Sequence, residues 1–437
     1  TEKRILDKVS AVEEPMKIPS VVDEEEECDA DDYSPKSVNY SKKIAKEEEK
    51  AAARISIIQH LEDLREIVSK SKRYSYKWFK ALLELESMNS AESNFGNREI
   101  SISFGKVEKD PEGKRTLILK HPSSHIPQFV EELADIPLEL KYDGQSKKVT
   151  IEAASVKSYT LKIKVKAGTI IDELNLSEVK EATINAQSPA FLLEELRKAF
   201  NALEYEDDFD MKENLPENIK FIFGPPGTGK TTYLSNETII PMMQQNDKCK
   251  VLVLAPTNKA ADVLVSRIME NEATSADWLV RFGVTNDENI EESGVFKEKT
   301  FDIRSMEKCV VATTIARFPY DFFMTDSERI YLNGIKWDYI VIDEASMIPI
   351  ANIVYPLFKK TPKQFIIAGD PFQIEPIASV DIWKDENIYT MVELKSFINP
   401  TTKPHDFEVK LLTKQYRSIP SVGNVFSRLT YGGILEH

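Results

Sequence analysis

A glycine-rich stretch that directly follows an apolar run has the residue types needed to bind a triphosphate. After Phe221-Ile222-Phe223 come Gly224, Pro225, Pro226, Gly227, Thr228, Gly229, Lys230, Thr231 and Thr232. Glycines let several backbone N–H groups point at one anion, a lysine reaches the β- and γ-phosphates, and a hydroxyl beside it contacts Mg²⁺. We therefore predict a phosphate-binding loop, with Lys230 on the phosphates and Thr231 on the metal. A glycine-rich turn with no ligand is the alternative.

A second motif supplies the carboxylates that triphosphate hydrolysis requires. The apolar run Tyr339-Ile340-Val341-Ile342 ends in Asp343 and Glu344. Hydrolysis needs a second anchor for Mg²⁺ and a group that positions or deprotonates water. We assign the first role to Asp343 and the second to Glu344. An acidic helix start without a catalytic role is the alternative.

Three further motifs follow the loop in a fixed order. They are Ala255-Pro256-Thr257-Asn258, Gly369-Asp370-Pro371-Phe372-Gln373 and Gln415-Tyr416-Arg417. With the loop and Asp343-Glu344-Ala345-Ser346, they resemble a superfamily 1 helicase. The resemblance is narrower to the branch of the up-frameshift RNA helicase and senataxin, whose motifs read DEAS or DEAA, GDxxQLPP and QYRMHP. It covers about residues 215–437, roughly half of the chain.

The resemblance implies an ATP-dependent helicase or translocase with ATP and Mg²⁺ as cofactors. Two RecA-like lobes would close on ATP while gripping single-stranded RNA or DNA, moving 5′ to 3′. Gln373 would sense the γ-phosphate, and Arg417 would contact it from the second lobe. Lys230, Asp343, Glu344, Gln373 and Arg417 thus form the expected catalytic set.

Four small polar residues match the motifs with which the family grips the nucleic-acid backbone. They are Thr257, Asn258, Thr313 and Thr314. Hydroxyls and amides suit contacts to phosphate and sugar, which position a strand without reading its sequence. Helix capping and turn bonding remain the alternative for each of them.

The chain departs from the family at Phe372, Ile374 and Glu375 in the third motif and at Ser418 and Ile419 in the fourth, and two larger departures affect the assignments. The family has an adenine-reading Gln shortly before the loop, whereas Gln187 lies far upstream, so we assign no adenine-reading residue. The chain also ends shortly after Arg417, inside the expected second lobe, so we expect this polypeptide alone to turn ATP over slowly. A nucleotide-gated binding module without translocation and a clamp-loader-like ATPase are the competing functions.

The elements that must position these residues define the predicted organisation. We expect an acidic flexible arm (1–40), a helical stalk (41–92), a small antiparallel barrel-like domain (93–180), a first RecA-like domain (181–400) and the start of a second (401–437). Apolar steps of three and four residues indicate the stalk helices, and period-two alternation over 98–170 indicates the barrel. Continuous apolar runs at 220–223, 250–255, 309–313, 338–342 and 364–368 indicate a parallel sheet. The fold class is therefore α/β.

Two stretches outside the motifs have the composition of nucleic-acid contacts. Basic and aromatic residues interleave over 70–77, and Lys162, Lys164 and Lys166 share one strand face opposite Leu161, Ile163 and Val165. Cationic and aromatic side chains can follow a phosphate backbone and stack bases. A solvated helix junction and a plain solvent face are the respective alternatives.

Charge and composition bound the remaining possibilities. The formal net charge is −15, but much of it lies in the acidic block of residues 23–32. Such a block is typical of a solvated arm and offers a site for a protein partner. The 3 cysteines are scattered, no apolar run has the length of a membrane span, and the start lacks the layout of a secretion signal. We expect a cytosolic protein, or a nuclear one in a eukaryote, with no membrane partner.

Overall fold

The computed structural model describes residues 55–436 with short gaps. The gaps are 94–98, 112, 114, 125, 127–129, 131–135, 158, 167, 188–189, 273–274, 326–327, 374, 377–379, 381–382, 395–399, 401 and 404. The predicted acidic arm and the start of the stalk therefore lie outside the described residues. The chain divides into two units, 1–59 and 60–437. Of the first, residues 55–59 are described and are helical; all that follows concerns the second.

Two helices form the stalk, as the spacing of apolar residues predicts. They are α1 (60–70) and α2 (Tyr76–Ser93). Leu61, Leu64 and Val68 lie on one face of α1 and are buried, because steps of three and four residues return to the same side of a helix. No helix among the described residues is long and apolar enough to cross a membrane.

Six antiparallel strands close into a barrel, which confirms the predicted small β-domain. The strands are β1 (Glu99–Lys109), β2 (Thr116–Pro122), β3 (Ile136–Tyr142), β4 (Gln145–Lys157), β5 (Thr160–Val165) and β6 (Glu181–Gln187). Their order around the barrel is β1-β2-β5-β4-β3-β6. Alternate residues face inward, so Leu161, Ile163 and Val165 are all buried in the barrel core.

The rest of the chain alternates strands and helices. The segments after the barrel are α3 (Ala190–Asn201), β7 (Ile219–Phe223), α4, β8 (Cys249–Ala255), α5 (Asn258–Asn271), β9 (Leu279–Phe282), α6 (Glu288–Glu292), β10 (Phe296–Lys297), β11 (Lys308–Thr314), β12 (Phe322–Met324), β13 (Arg329–Tyr331), β14 (Tyr339–Ile342), α7 (Ile350–Lys359), β15 (Gln364–Gly369), α8 (Ile388–Met391), β16 (Glu408–Leu411) and α9 (Pro420–Thr430). Helix α4 begins as Lys230–Tyr233, passes through a π-helical segment, Leu234–Ile239, and ends as Ile240–Gln245.

Eight of these strands form one parallel sheet in the order β10-β9-β11-β8-β14-β15-β7-β16. The five strands predicted from apolar runs are all present, to within one residue at each end. Both faces are covered: Phe221 and Phe223 of β7 enter one core cluster, whereas Ile222 between them enters another. This double burial explains why the strands are continuous apolar runs, and it confirms the α/β class.

Two predicted domain boundaries are wrong, for the same physical reason. Strand β6, which we placed in the RecA-like domain, pairs with β1 and β3 and closes the barrel. Strand β16, which we placed in a second domain, pairs along β7 in the first domain's sheet. Both pairings are between segments distant in sequence, and the local pattern of a strand does not specify its partner.

The two tyrosines of the interleaved stretch pack inside the protein while its basic residues are exposed, so the prediction that its rings stack on bases is wrong. Tyr74 and Tyr76 are buried, and the Tyr74 hydroxyl donates to Glu386 Oε2 at 2.7 Å. Arg73 pairs with the same Glu386, and Lys72 Nζ lies 2.6 Å from Asp210 Oδ2. The stretch joins the stalk to the sheet domain.

The lysines of β5 are engaged by neighbouring carboxylates. Lys162 pairs with Asp110, and Lys164 pairs with Glu291 of α6. Burial lowers the pKa of Lys164, with Arg115 adding to the shift. At Lys164, therefore, the strand faces the RecA-like domain, and neither the nucleic-acid edge nor the plain solvent face describes it.

Candidate functional site

The glycine-rich stretch forms a tight loop between β7 and α4. Gly227 and Gly229 have φ of 83° and 78°, in the left-handed region that glycine adopts without a steric penalty. The Thr228 hydroxyl donates to Pro225 O at 2.8 Å and fixes the turn. Helix α4 then begins at Lys230, so its first N–H groups face the space above the loop. This is the geometry of an anion site.

The two predicted carboxylates follow β14 at the same edge of the sheet, because the strands are parallel. Asp343 is buried, and its Oδ1 accepts from Glu344 N at 2.8 Å. Glu344 has φ 50° and ψ 43°, a left-handed conformation that is uncommon for a residue with a side chain. Its Oε2 lies 2.8 Å from Lys230 Nζ. The loop lysine is therefore ion-paired with the predicted base.

Asp343 has the properties of a carboxylate that a divalent cation would complement. Burial raises its pKa to about 6; the Lys230 charge opposes this shift and the Glu344 charge adds to it. A buried anion with little compensating charge is unfavourable, and a hard cation would supply that charge. Asp343, together with the hydroxyl of Thr231 on the cavity wall, thus fits Mg²⁺, the metal that the motif implies.

Gln373 is tied to Asp370 at the end of β15. The Gln373 N–H donates to Asp370 O at 3.1 Å. Burial raises the pKa of Asp370, and hydrogen bonds from Tyr431 and Gln373 oppose that shift. The Tyr431 hydroxyl donates to Asp370 Oδ2 at 2.6 Å. Asp370 thus connects the predicted phosphate sensor to the end of α9.

The segment that carries Arg417 lies directly on the loop. Tyr416 N donates to Gly227 O at 2.8 Å. Gln415 is buried, and its Oε1 accepts from the N–H groups of Arg417 and Ser418. This side-chain cap holds a turn from which the exposed Arg417 side chain projects. Sequence reasoning assigned no role to Gln415, although its place two residues before Arg417 was the available signal.

One cavity of about 1270 Å³ brings most of the predicted residues together. It is lined by Pro225, Pro226, Gly227, Thr228, Gly229, Lys230, Thr231, Thr232, Glu344, Gln373 and Arg417. Gly224 and Asp343 lie behind this lining: Gly224 N donates to Gly369 O at 3.0 Å, which joins the loop to β15. The cavity wall also includes Asn236, Glu237, Val263 and Arg267, which the motifs did not indicate.

The four predicted nucleic-acid contacts lie at the ends of β8 and β11 but are mostly enclosed. Thr257 caps α5 by accepting from Ala260 N at 3.2 Å. Asn258 is buried, and its Oδ1 accepts from Arg281 Nη2 at 3.0 Å. Thr313 and Thr314 are 0% and 1% exposed. In this conformation the capping alternative describes Thr257, and the other three side chains are covered by protein.

Arg281 is a buried positioning residue that sequence reasoning missed. It is 0% exposed, and its Nε donates to Asp262 Oδ1 at 2.7 Å. Burial raises the pKa of Asp262, which the Arg281 charge opposes. Together with the contact to Asn258, this pair fixes the first turns of α5 against β9. An arginine inside the apolar run Leu279–Phe282 was the one signal available.

Replacing Asp343 with Asn should stabilise the nucleotide-free, Mg²⁺-free protein more at pH 7.5 than at pH 4.5. The folded pKa of about 6 lies above the ordinary value, so the stability tied to the protonated form is complete below the unfolded pKa and is lost as pH rises through 6. The gain in unfolding free energy should be on the order of 2 kcal/mol larger at the higher pH. Urea unfolding at both values measures it.

Asp302→Asn is the matched control, because a side-chain hydrogen bond from Arg304 lowers the pKa of Asp302. Its effect should have the opposite sign, a loss of stability that is greater at the higher pH. Equal gains for Asp343→Asn at both pH values would contradict the raised pKa.

Comparison with known proteins finds one family model and several helicase relatives. Residues 210–379 match a family described as an AAA domain. The probable RNA helicase armi of Drosophila melanogaster is 23% identical over 276 residues, which are 55% of this chain and 23% of the relative. RecD, a RecBCD enzyme subunit of Buchnera aphidicola, is 32% identical over 39% of this chain and 25% of the relative.

Further matches are of the same kind. The replication helicase/nuclease dna2 of Schizosaccharomyces pombe is 27% identical over 50% of this chain and 15% of the relative. Among solved structures, unliganded Pif1 from a Bacteroides species is 20% identical, with a TM-score of 0.26, over 54% of this chain and 45% of that one. The chain spans a quarter or less of the length of these three curated relatives.

Proposed function

We propose that this chain, which is similar to superfamily 1 helicases, binds ATP and Mg²⁺ in the cavity above β7 and hydrolyses ATP as a nucleic-acid motor. The observation that carries the proposal is the meeting of Lys230, Glu344, Gln373 and Arg417 around one cavity. Each comes from a different motif, and their shared position is what hydrolysis of a triphosphate requires.

Each residue of the cavity has a separate role in the proposed hydrolysis. The loop N–H groups and Lys230 hold the phosphates, and Glu344 accepts a proton from the attacking water once phosphate has taken over Lys230. Thr231 and Asp343 would hold Mg²⁺, which neutralises charge that develops on the phosphate oxygens. Gln373 and Arg417 reach the cavity from the end of β15 and from the segment after β16, so both report on the γ-phosphate.

The nucleic-acid partner in this proposal is single-stranded RNA or DNA. The relatives support it through their names, which include an RNA helicase and a DNA replication helicase/nuclease. In this chain the segments carrying Thr257 and Thr314 lie at the ends of adjacent strands that pair in register, Thr314 beside Ala255. Single-stranded nucleic acid bound there would lie along the same edge of the sheet as Gln373, which follows β15. This shared edge would connect nucleic-acid binding to the ATP cavity.

Single strands should accelerate ATP hydrolysis by the native protein by about tenfold or more, a barrier change of at least 1.4 kcal/mol. Phosphate release is measured with no strand, with single-stranded RNA and with single-stranded DNA. Lys230→Ala is the control, and it should reduce hydrolysis to background under all three conditions. Without strand stimulation, but with nucleotide-dependent strand binding, the protein would instead be a nucleotide-gated binding module.

A further inference from the structure

Tyr389 is a buried tyrosine beneath the phosphate-binding strand whose hydroxyl has no hydrogen-bond partner among the described residues. It is 1% exposed and belongs to α8, which Asn387 caps by accepting from Tyr389 N and Thr390 N. Its ring stacks on Phe223 at 5.8 Å between centroids with an interplanar angle of 18°. Packing therefore fixes both the backbone and the ring of Tyr389.

The hydroxyl of Tyr389 lies at the turn that follows the two catalytic carboxylates. A Cβ built on Gly369 would stand 2.5 Å from the Tyr389 hydroxyl, 3.0 Å from Ala345 N and 3.4 Å from Ser346 N. Only glycine leaves room for this approach. The Ser346 hydroxyl is also buried and lacks a partner within the described chain. One hydroxyl without a partner in the described residues therefore lies within the turn of residues 343–346, and a second lies beside it.

Both the backbone of the turn and the hydroxyl of Tyr389 are energetically unfavourable as the structure has them. A buried hydroxyl without a partner destabilises the fold, and such groups are rare unless another state uses them. Glu344 holds a left-handed backbone in the same turn, and conformations of this kind cluster at functional sites. Phenylalanine would keep the ring stacking of Tyr389 without this cost, so the hydroxyl requires a different explanation.

Nucleotide binding changes the electrostatics of this turn. Glu344 Oε2 is ion-paired with Lys230 Nζ at 2.8 Å. Phosphate competes for the same ammonium group, and Glu344 then loses its cationic partner. A carboxylate that must hold one orientation as a base needs a donor to replace that contact.

We propose that Tyr389 is a positioning residue for this turn, and that its hydroxyl donates a hydrogen bond to residues 343–346 when nucleotide occupies the cavity. The inference rests on the proposed function, because nucleotide must displace Lys230 from Glu344. Tyr389 acts through Glu344 and does not touch the nucleotide. In this proposal the Tyr389 hydroxyl gains its acceptor only when nucleotide binds.

Tyr389→Phe tests the proposal in the full chain through three measurements. Without ligand, the melting temperature should stay equal or rise by about 2 °C, because an unpaired hydroxyl has been removed. The rise in melting temperature caused by a non-hydrolysable ATP analogue with Mg²⁺ should be smaller than in the wild type. ATP turnover with single strands should fall about tenfold, equivalent to one hydrogen bond lost from the active conformation.

Tyr355→Phe is the matched control. Tyr355 is equally buried, but its hydroxyl accepts from Asn333 Nδ2 at 3.2 Å. This variant should melt at a lower temperature while keeping the wild-type response to nucleotide and the wild-type turnover. The proposal is overturned if Tyr389→Phe lowers the ligand-free melting temperature, or if it leaves both the nucleotide response and the turnover unchanged. A wild-type protein that shows no nucleotide response overturns the proposed function and this inference with it.

Discussion

Glu344→Gln should lower ATP turnover by about 10²–10⁴-fold while leaving nucleotide binding intact, since that is the usual contribution of a positioned general base. Gln keeps the size of Glu but cannot accept a proton at neutral pH. Glu344 also pairs with Lys230, so phosphate must compete with it for the ammonium group. With Gln this competition disappears, and ATP affinity should stay equal or increase.

Two measurements separate these effects. Titration with a fluorescent ATP analogue gives the affinity, and single-turnover phosphate release gives the rate. Glu237→Gln makes the same chemical change on the wall of the same cavity and should alter neither quantity. If Glu344→Gln hydrolysed ATP within about threefold of the wild-type rate, a difference worth less than 1 kcal/mol, Glu344 would not be the base.

Gly227→Ala should weaken ATP binding by about 100-fold or more, because loop conformation and the packing of the Arg417 segment both depend on this glycine. Gly227 has φ 83°, where any side chain is strained. An added Cβ would also stand 2.6 Å from Arg417 Cβ and 2.8 Å from Gln415 Oε1. The loop can accept alanine only by moving away from residues 415–417, which breaks the bond from Tyr416 N to Gly227 O.

Gly433→Ala is a close control for this prediction. Gly433 has the same φ of 83°, yet a Cβ there would meet nothing within 4 Å. It should therefore show the conformational penalty alone, on the order of 1 kcal/mol, with unchanged ATP affinity. Calorimetric titration and thermal unfolding of both variants measure the two contributions. Equal losses of affinity in the two variants would refute the packing argument.

Much of the motor could be predicted from local sequence. The phosphate-binding loop and the carboxylates after β14 depend on a glycine pattern and on an apolar run that ends in acids. Each of these motifs determines its local structure within a few residues, so distant parts of the chain change that structure little. The stalk helices and the inward face of β5 followed equally from periodicity, because burial on one side imposes a fixed repeat.

What the sequence did not predict depends on distant neighbours. The membership of β6 in the barrel and of β16 in the large sheet required knowledge of pairing partners, and the motifs said nothing of these. The burial of Thr313 and Thr314 depends on how neighbouring segments cover the sheet edge. Tyr389 carries no motif, and its relation to Glu344 arises only when α8 packs beneath β7. Hydroxyl groups placed by tertiary packing leave no pattern in the chain.

The segment that follows β16 is hydrogen-bonded to the phosphate-binding loop at two points, one before the loop and one inside it. Leu412 N donates to Phe223 O at 2.9 Å before the loop, and Tyr416 N donates to Gly227 O at 2.8 Å within it. Residues 412–416 therefore run alongside the first half of the loop and are hydrogen-bonded to it at both positions. If the loop moves when it binds phosphate, residues 412–416 must move with it. Arg417 follows Tyr416 directly and is therefore displaced in the same direction. Phosphate binding and the movement of the Arg417 segment are then coupled directly, because the loop and that segment are joined by hydrogen bonds.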